Sequence, residues 1–544
     1  MDMVYRGAES VIVWLGTEAD ESTLAMETMS LIGKHMIFEK HTNSVKIIAP
    51  NSRLSELRND HQKLIQEQQR WIACQSLLTR PWFSRLWIYQ EINLASDAFL
   101  TLGNYTLPWE DFVTTFQWIR SQALPGSPMS KFLNLKLLEQ INNLFSPNSR
   151  LYADMLEDTK ESYCSDPRDR VYALLGISSN NMGIIPDYEK TTEEVYTDLM
   201  CRNIRHRKSL VLLRYCQIRS PHSRLRELPS WVPDFSVPNG SRPITHCEAS
   251  GRSAAETHYN KANGSLLIRG LHSATVIALT KPISTNASLT EIIVHCTTWE
   301  PSNMSTSHYS HYHRIEPMFD AFVSTLLCGE IDEILPLGLV PLTLETCKQA
   351  YRDCVEHKQM EDSTVRYIEK VVARVTGRAF FKTDNGFMGL CPADTRVGDH
   401  VVVALGNTTP LLLRPSKRNS AYKVVGGCYV HGMMGGEVIL GALPVSWKSS
   451  MAIIEGAMSK VYKHGERITQ QDPRLGSMPS GWVTRYGRYR RDGNDYTDEL
   501  DQHGHLRYMQ FKHLQSEEWT RFDPRLTSHA LASRNVGIKD FLLV

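Results

Sequence analysis

Arg80-Pro81-Trp82-Phe83-Ser84-Arg85-Leu86-Trp87-Ile88-Tyr89-Gln90-Glu91-Ile92 sets two tryptophans, two further aromatics, two arginines and one carboxylate in thirteen residues. At helical spacing Trp87 and Glu91 stand one turn apart, so an indole and a carboxylate share a face. Upstream, Val11-Ile12-Val13-Trp14-Leu15-Gly16 reads as a buried strand that stops at a glycine. A carboxylate on a helix downstream of such a strand is expected near the carboxyl edge of a sheet, where open α/β folds bind ligands. Composition alone supports a plainer reading, an amphipathic helix with a salt-bridged glutamate. Both readings stand at this point.

A chain of 544 residues with 42% apolar and 9% aromatic side chains can fill two to four cores. Sixty basic against fifty-nine acidic side chains leave a formal charge of +1, which excludes a globally basic nucleic-acid binder. Eleven cysteines without a Cys-x-x-Cys pair read as reduced thiols of a cytoplasmic or nuclear protein, and the cytoplasm is the expected setting. The N-terminus has no basic segment followed by an apolar run, hence no signal peptide. No apolar stretch reaches the roughly eighteen residues of a membrane span. Phosphate-loop, G-x-S-x-G, H-E-x-x-H and G-x-G-x-x-G signatures are all missing.

Composition divides the chain at residues 1–240, 241–376, 377–445 and 446–544. In the first segment, residues 17–22 supply a helix start. Asp166-Pro167 supplies another, with Asp166 as N-cap, and Thr191-Thr192-Glu193-Glu194 a third. Residues 38–60 are polar and read as a surface insertion. The second segment follows a boundary rich in Pro, Asn, Gly and Ser, and carries a mobile insertion near 297–315. His308, His311 and His313 lie there, but no further ligand set accompanies them and no metal site is assigned. Residues 316–370 read as helical. From Gly377 the period changes to strands: a hairpin turning at Asp384-Asn385-Gly386, then runs at 400–405, 411–414, 422–425 and 428–430. Short, regular strands suggest a small barrel. The glycine-rich loop from His431 to Glu437 reads as a turn cluster packing that barrel. The last hundred residues read as looser. They echo one tetrapeptide, Asp472-Pro473-Arg474-Leu475 and Asp523-Pro524-Arg525-Leu526, and Arg485-Tyr486-Gly487-Arg488-Tyr489-Arg490-Arg491 interleaves basic and aromatic residues as single-strand nucleic-acid binders do, although Asp492, Asp495, Asp498 and Glu499 beside it favour an exposed basic loop.

Several blocks resemble the later part of the fungal heterokaryon incompatibility (HET) domain, in the family's order. They are Tyr5-Arg6-Gly7-Ala8 running into residues 11–16, then residues 85–92. Residues 166–176, Pro186-Asp187-Tyr188 and residues 228–234 follow. The β-rich block at 377–445 resembles the C-terminal region common in long HET proteins. The resemblance implies an α/β fold, TIR-like, with an incomplete parallel sheet and helical additions, followed by an α+β region with a β-rich C-terminal block. It also implies an N-terminally truncated member, since the family's opening strands and cofactor-cradling loop precede Tyr5 in the family's order. TIR enzymes carry a Trp and, four residues later, the glutamate that cleaves NAD. By that likeness Glu91 is the catalytic residue, and Trp87 and Arg85 contact the nucleotide. NAD is a substrate, no cofactor is held permanently, and the truncation is expected to impair activity. Arg168, Asp169 and Arg170 read as a structural ion-pair network. The family's role is non-self recognition leading to regulated cell death, through protein partners or self-association and without nucleic acid. The alternative is a non-enzymatic interaction or regulatory protein built on a degenerate HET domain, serving for example a metabolic gene neighbourhood.

Overall fold

The computed structural model describes residues 2–39, 44–47, 67–123, 127–145, 152–178, 181–219, 225–237, 240–245, 247–304, 306–312, 314–331, 342–356, 362–416, 420–455, 457–487, 498–502 and 504–544. Most of the polar 38–60 stretch, His313 and residues 488–497 of the basic loop lie outside these. Two compact units emerge, Met1–Leu199 with Phe235–Pro238, and Met200–Asp234 with Asn239–Val544. The first therefore closes at Leu199 apart from one short return, where the sequence suggested a boundary near 240. Residues 200–234 join the second unit, with Leu210 N donating to Gly406 O at 2.8 Å.

The first unit opens with α1 (Asp2–Gly7), β1 (Val11–Trp14), α2 (Ser22–Gly33) and the hairpin β2 (Met36–Glu39) and β3 (Ser44–Ile47). Then follow α3 (Gln68–Leu78), α4 (Ile88–Asn93), β4 (Ala98–Leu102), β5 (Tyr105–Pro108) and α5 (Trp109–Gln122). β1 runs parallel to β4, from Val11 opposite Ala98 to Trp14 opposite Thr101, and β4 runs antiparallel to β5. The sheet is thus mixed, with one parallel pair and β1 at an edge. The reading of β1 as a buried strand needs correction. Val13 is buried, but Ile12 and Trp14 are 69% and 54% exposed, because only one face of this edge strand is covered.

The deciding stretch is also more broken than a single helix. Pro81–Ser84 forms a 3₁₀ turn with proline at its first position, Arg85 is extended, and α4 begins only at Ile88. Trp82 and Phe83 drop into an aromatic cluster with Trp109, Phe112 and Phe145. Burying each of these two rings contributes about 2–3 kcal/mol. α2 packs on α3 and α5 through Met26, Met29, Trp71 and Phe116, all buried.

Later helices are α6 (Leu135–Asn142), α7 (Tyr152–Asp158), α8 (Asp169–Leu175) and α9 (Thr192–Arg207), the last beginning in this unit and ending in the second. Asp166 is not the N-cap of α8. It closes a turn on Arg168 N at 2.9 Å, and the helix starts at Asp169. The third predicted start holds: Thr191 Oγ1 accepts from Glu194 N at 3.2 Å, and Glu194 Oε2 accepts from Thr191 N at 2.8 Å, a capping box.

In the second unit β6 (Thr257–Asn260) leads into β7 (Ser265–Leu279), a fifteen-residue strand around which the sheet is organised. Next come α10 (Leu289–Thr298), β8 (His308–His311), β9 (Arg314–Pro317), α11 (Met318–Leu326), α12 (Leu344–Val355) and α13 (Asp362–Val375). The barrel region holds β10 (Arg378–Thr383), β11 (Met388–Pro392), β12 (His400–Ala404), β13 (Leu411–Pro415), β14 (Ala421–Gly427) and β15 (Tyr429–Val430), with the short α14 (Glu437–Leu440) behind it. β10 and β11 form the expected hairpin, Gly386 taking φ +86° in its turn.

The 446–544 segment is better ordered than its composition suggested. β16 (Lys448–Ile454), β17 (Ala457–His464) and β18 (Arg467–Thr469) form one antiparallel sheet. β19 (Trp482–Tyr486), β20 (Met509–His513) and β21 (Trp519–Thr520) form another, before β22 (Lys539–Leu543).

β7, β12, β13, β14 and β22 pair in a closed ring, because β7 bonds to β22 on one edge and to β12 on the other. Gly270 sits where β7 meets both, opposite Ala404 and Lys539. A Cβ there would come within 2.6 Å of Val403 O, so only glycine lets these strands close up. Val401, Val402, Val403, Leu411, Leu412 and Leu413 are all completely buried. The small barrel inferred from strand spacing is present, with two of its staves drawn from 265–279 and 539–543.

Candidate functional site

Glu91 lies in the first turn of α4 and is 9% exposed. Its nearest cation is Arg85, with Nη2 3.8 Å from Oε1. The Tyr5 hydroxyl from α1 hydrogen-bonds the same carboxylate, and burial together with the Glu91 charge raises the Tyr5 pKa. Arg85 is held from behind, since Leu86 N donates to Tyr163 O at 2.9 Å and Tyr163 N to Ser84 O at 2.5 Å. The guanidinium itself stays half in solvent. Glu91 and Arg85 are therefore brought together as the sequence suggested, and Tyr5 joins them.

Trp87 has a different partner. Its indole Nε1 donates to Asp169 Oδ2 at 3.0 Å, and Asp169 Oδ1 accepts from the Tyr188 hydroxyl at 2.7 Å. The Asp166-Pro167-Arg168 turn braces this arrangement. Arg168 forks onto Asp166 at 2.7–3.3 Å, donates to Tyr188 O at 2.6 Å, and lies 5.1 Å over the Tyr188 ring. The expected network of Arg168, Asp169 and Arg170 is structural, but Asp169 serves it as a hydrogen-bond acceptor while Arg168 pairs with Asp166. Arg80 also acts in a way the sequence did not reveal. It closes the carboxyl end of β1, donating to Leu15 O, Thr17 O and Ala19 O at 3.0–3.2 Å.

A cavity of about 1230 Å³ opens in the second unit, with Glu316, Tyr429, His431, Glu437 and Lys460 among its walls. His431 Nε2 lies 2.7 Å from Glu316 Oε1, and the Tyr429 hydroxyl lies 3.0 Å from His431 Nδ1. The glycine-rich loop is partly closed on itself. Gly435 N donates to the Glu437 carboxylate at 2.7 Å, and Gly435 O accepts from Lys460 Nζ at 2.8 Å. It is a turn cluster, as its sequence suggested.

Residues 1–91, from α1 to the carboxylate on α4, match the family described as heterokaryon incompatibility protein (HET). That stretch is similar to a HET domain. Residues 339–443 match a second family, the Het-6 β-barrel domain, a range that takes in α12, α13 and strands β10 to β15. Heterokaryon incompatibility protein 6, OR allele, of Neurospora crassa is 22% identical over 542 residues, an alignment covering 80% of this chain and 77% of that protein. No solved structure matches.

The HET match stops at Glu91, and the downstream blocks quoted with it divide between the units. Those at 166–176 and 186–188 reach the deciding stretch of the HET match through Asp169 and Tyr188. Trp231, in the block at 228–234, donates its indole to Gly264 O at 2.9 Å in the second unit. Among the described residues no group of three His, Cys, Asp or Glu side chains is placed to hold a metal. No described helix is long and apolar enough to cross a membrane. No disulfide joins any of the eleven cysteines among the described residues.

Chemically, the Glu91 group offers a largely desolvated carboxylate with one cation and one phenol beside it, a set that can stabilise developing positive charge. Tyr5 was legible only as part of a motif. Nothing local to the sequence marks Arg80 as the group that covers the end of β1.

Proposed function

We propose that this protein acts in fungal non-self recognition, in heterokaryon or vegetative incompatibility, and that an incompatible encounter leads through it to regulated cell death. The observation that carries this reading is the presence in one chain of the HET match at 1–91 and the Het-6 β-barrel match at 339–443. Its setting is the cytoplasm, and its partners are proteins, either an incompatibility partner or further copies of the chain.

For the first unit we propose TIR-like cleavage of NAD, with NAD as substrate and no resident cofactor. Breaking the nicotinamide–ribose bond develops oxocarbenium charge, which Glu91 would stabilise. Arg85, half exposed beside it, would meet a phosphate. Trp87 would shield the site from water. A mostly buried carboxylate bonded to Tyr5 supports this chemistry. The commitment of Arg80 and of the Trp87 indole to structural bonds favours the second reading, a domain that serves as a binding surface.

Both are tested by expressing the protein in a fungal host confronted with strains of differing incompatibility type, following viability and NAD for the native chain and Glu91→Gln. Cell death with NAD loss abolished by Glu91→Gln is the expected outcome. Death at constant NAD, unaltered by Glu91→Gln, would leave recognition standing and remove the NAD chemistry. Full viability in every confrontation would remove the recognition role.

A further inference from the structure

Arg85 is extended, with φ −78° and ψ 142°, and forms a parallel bridge with Tyr163 outside the strands of the sheet. The bridge is closed from both sides. Leu86 N donates to Tyr163 O at 2.9 Å, and Tyr163 N donates to Ser84 O at 2.5 Å. Residues paired in this way stand about 5 Å apart and project from the same face. The Tyr163 ring therefore emerges beside the Arg85 side chain. Both reach solvent, Tyr163 being 68% exposed and the Arg85 side chain 52%.

Neither group is spent on the fold. Tyr163 serves the fold through its backbone, and its hydroxyl meets no partner among the described residues. The Arg85 guanidinium makes no hydrogen bond to them either, and its ion pair is the 3.8 Å contact with Glu91. A single exposed apolar or aromatic side chain is ordinary. Here the bare ring is locked in register beside an unspent guanidinium, which in turn adjoins a desolvated carboxylate. Tyrosine has only two side-chain torsions, so a pinned backbone presents its ring at little entropic cost.

The three groups follow one another as Glu91, Arg85 and Tyr163. NAD carries its parts in a matching order: the ribose that bears nicotinamide, the pyrophosphate, then adenosine. With that ribose at Glu91 and a phosphate on Arg85, the adenine arrives on the Tyr163 side of the guanidinium. A purine face stacks on an aromatic side chain with no need of hydrogen-bond readout.

We propose that Tyr163 is the stacking platform for the adenine of a dinucleotide, in one site with Arg85 and Glu91. This rests on the reading of the first unit as acting on NAD, and it assigns a holder to the far end of that substrate.

The test is calorimetric titration of the full-length protein with ADP-ribose, which keeps the pyrophosphate and adenosine but has no nicotinamide bond to cleave. Replacing a ring that stacks a base by alanine costs roughly 5- to 150-fold in affinity. Tyr163→Ala should thus weaken binding by about fivefold or more, while Tyr163→Phe, which keeps the ring, stays within about twofold of native. Arg85→Met should weaken ADP-ribose by about fivefold or more and leave adenosine unchanged. Amide exchange of peptides covering 84–93 should match in native and Tyr163→Ala protein, because the bridge is made by backbone groups. Accelerated exchange there would make the role of the ring structural and overturn the proposal. Equal affinity in native and Tyr163→Ala protein would overturn it, as would an equal loss in Tyr163→Phe or no binding of millimolar ADP-ribose. Ring-dependent binding without NAD loss would keep this site and remove the cleavage. NAD loss by a protein whose affinity ignores Tyr163 would do the reverse.

Discussion

Asp169→Ala removes the acceptor shared by Trp87 and Tyr188. The indole bond is 3.0 Å and the phenol bond 2.7 Å, and Asp169 is buried. A hydrogen bond to a charged acceptor is worth about 1.5–3 kcal/mol. Tyr188 is about half exposed, so water replaces part of its share. The expected loss is about 2–4 kcal/mol. It should appear locally, because Asp169 links α8 to the start of α4, while a chain of two units does not unfold in one step. Amide hydrogen exchange of peptides covering 84–93 and 166–175 reads it directly. Since about 1.4 kcal/mol is a factor of ten, exchange should accelerate roughly 30- to 900-fold in both peptides. Asp169→Asn keeps one carbonyl acceptor and should cost about 1 kcal/mol, roughly fivefold. Less than threefold acceleration in Asp169→Ala would refute the claim that this acceptor holds the deciding stretch in place.

Two further outcomes follow from buried ion pairs. Burial would raise the Asp472 carboxyl, but the hydrogen bonds and charge of Arg474 hold it below the ordinary carboxylate range. A carboxyl depressed on folding contributes stability above its unfolded pKa of about 3.9 and loses it as pH falls through the folded value. Asp472→Asn should therefore flatten the fall in Tm below about pH 4 and leave the slope above pH 5 unchanged, and identical acid limbs would refute this. Asp399 accepts from Arg414 at 2.8 and 2.9 Å and from Arg396 N at 2.8 Å, joining the start of β12 to β13. Asp399→Ala strands the arginine at a cost of about 3 kcal/mol in urea unfolding, and adding Arg414→Met should recover part of it. A double variant no more stable than the single would show that the pairing was not the cause.

Local patterns carried much of the second unit. Residues 378–383 and 388–392 flank Asp384-Asn385-Gly386, and the hairpin forms as that turn chemistry demands. The Val and Leu runs at 401–403 and 411–413 are strands covered on both faces, as continuous apolar runs imply. Ring closure was not legible. β22 pairs with β7 across some 270 residues, Leu543 facing Leu266, and no periodicity marks which distant edge a strand will take. In the first unit the family motif drew attention to Glu91 and Arg85, which the structure sets side by side, and the structure adds the Tyr5 hydroxyl. The bond from Trp87 to Asp169 escaped because helical spacing describes a face, not the group packed against it. The stretch itself breaks into turn, extended link and short helix, since Pro81 starts a 3₁₀ turn and Arg85 bridges to Tyr163.

The sequence Asp-Pro-Arg occurs at 166–168, 472–474 and 523–525, and it folds the same way each time. The aspartate accepts from the arginine's backbone N at 2.9–3.0 Å, from its Nε at 2.9–3.0 Å and from its Nη2 at 2.6–2.7 Å. The spare N–H groups then grip carbonyls on separate loops: Tyr188 and Lys190, Gly435 and Gly441, and Gly476. A clasp whose two charged halves lie two residues apart assembles with almost no loop to close. What it recognises is peptide backbone, which every amino acid supplies. The clasps thus fix the course of these loops through main-chain contacts, so the path of the chain there does not depend on any further side-chain pairing.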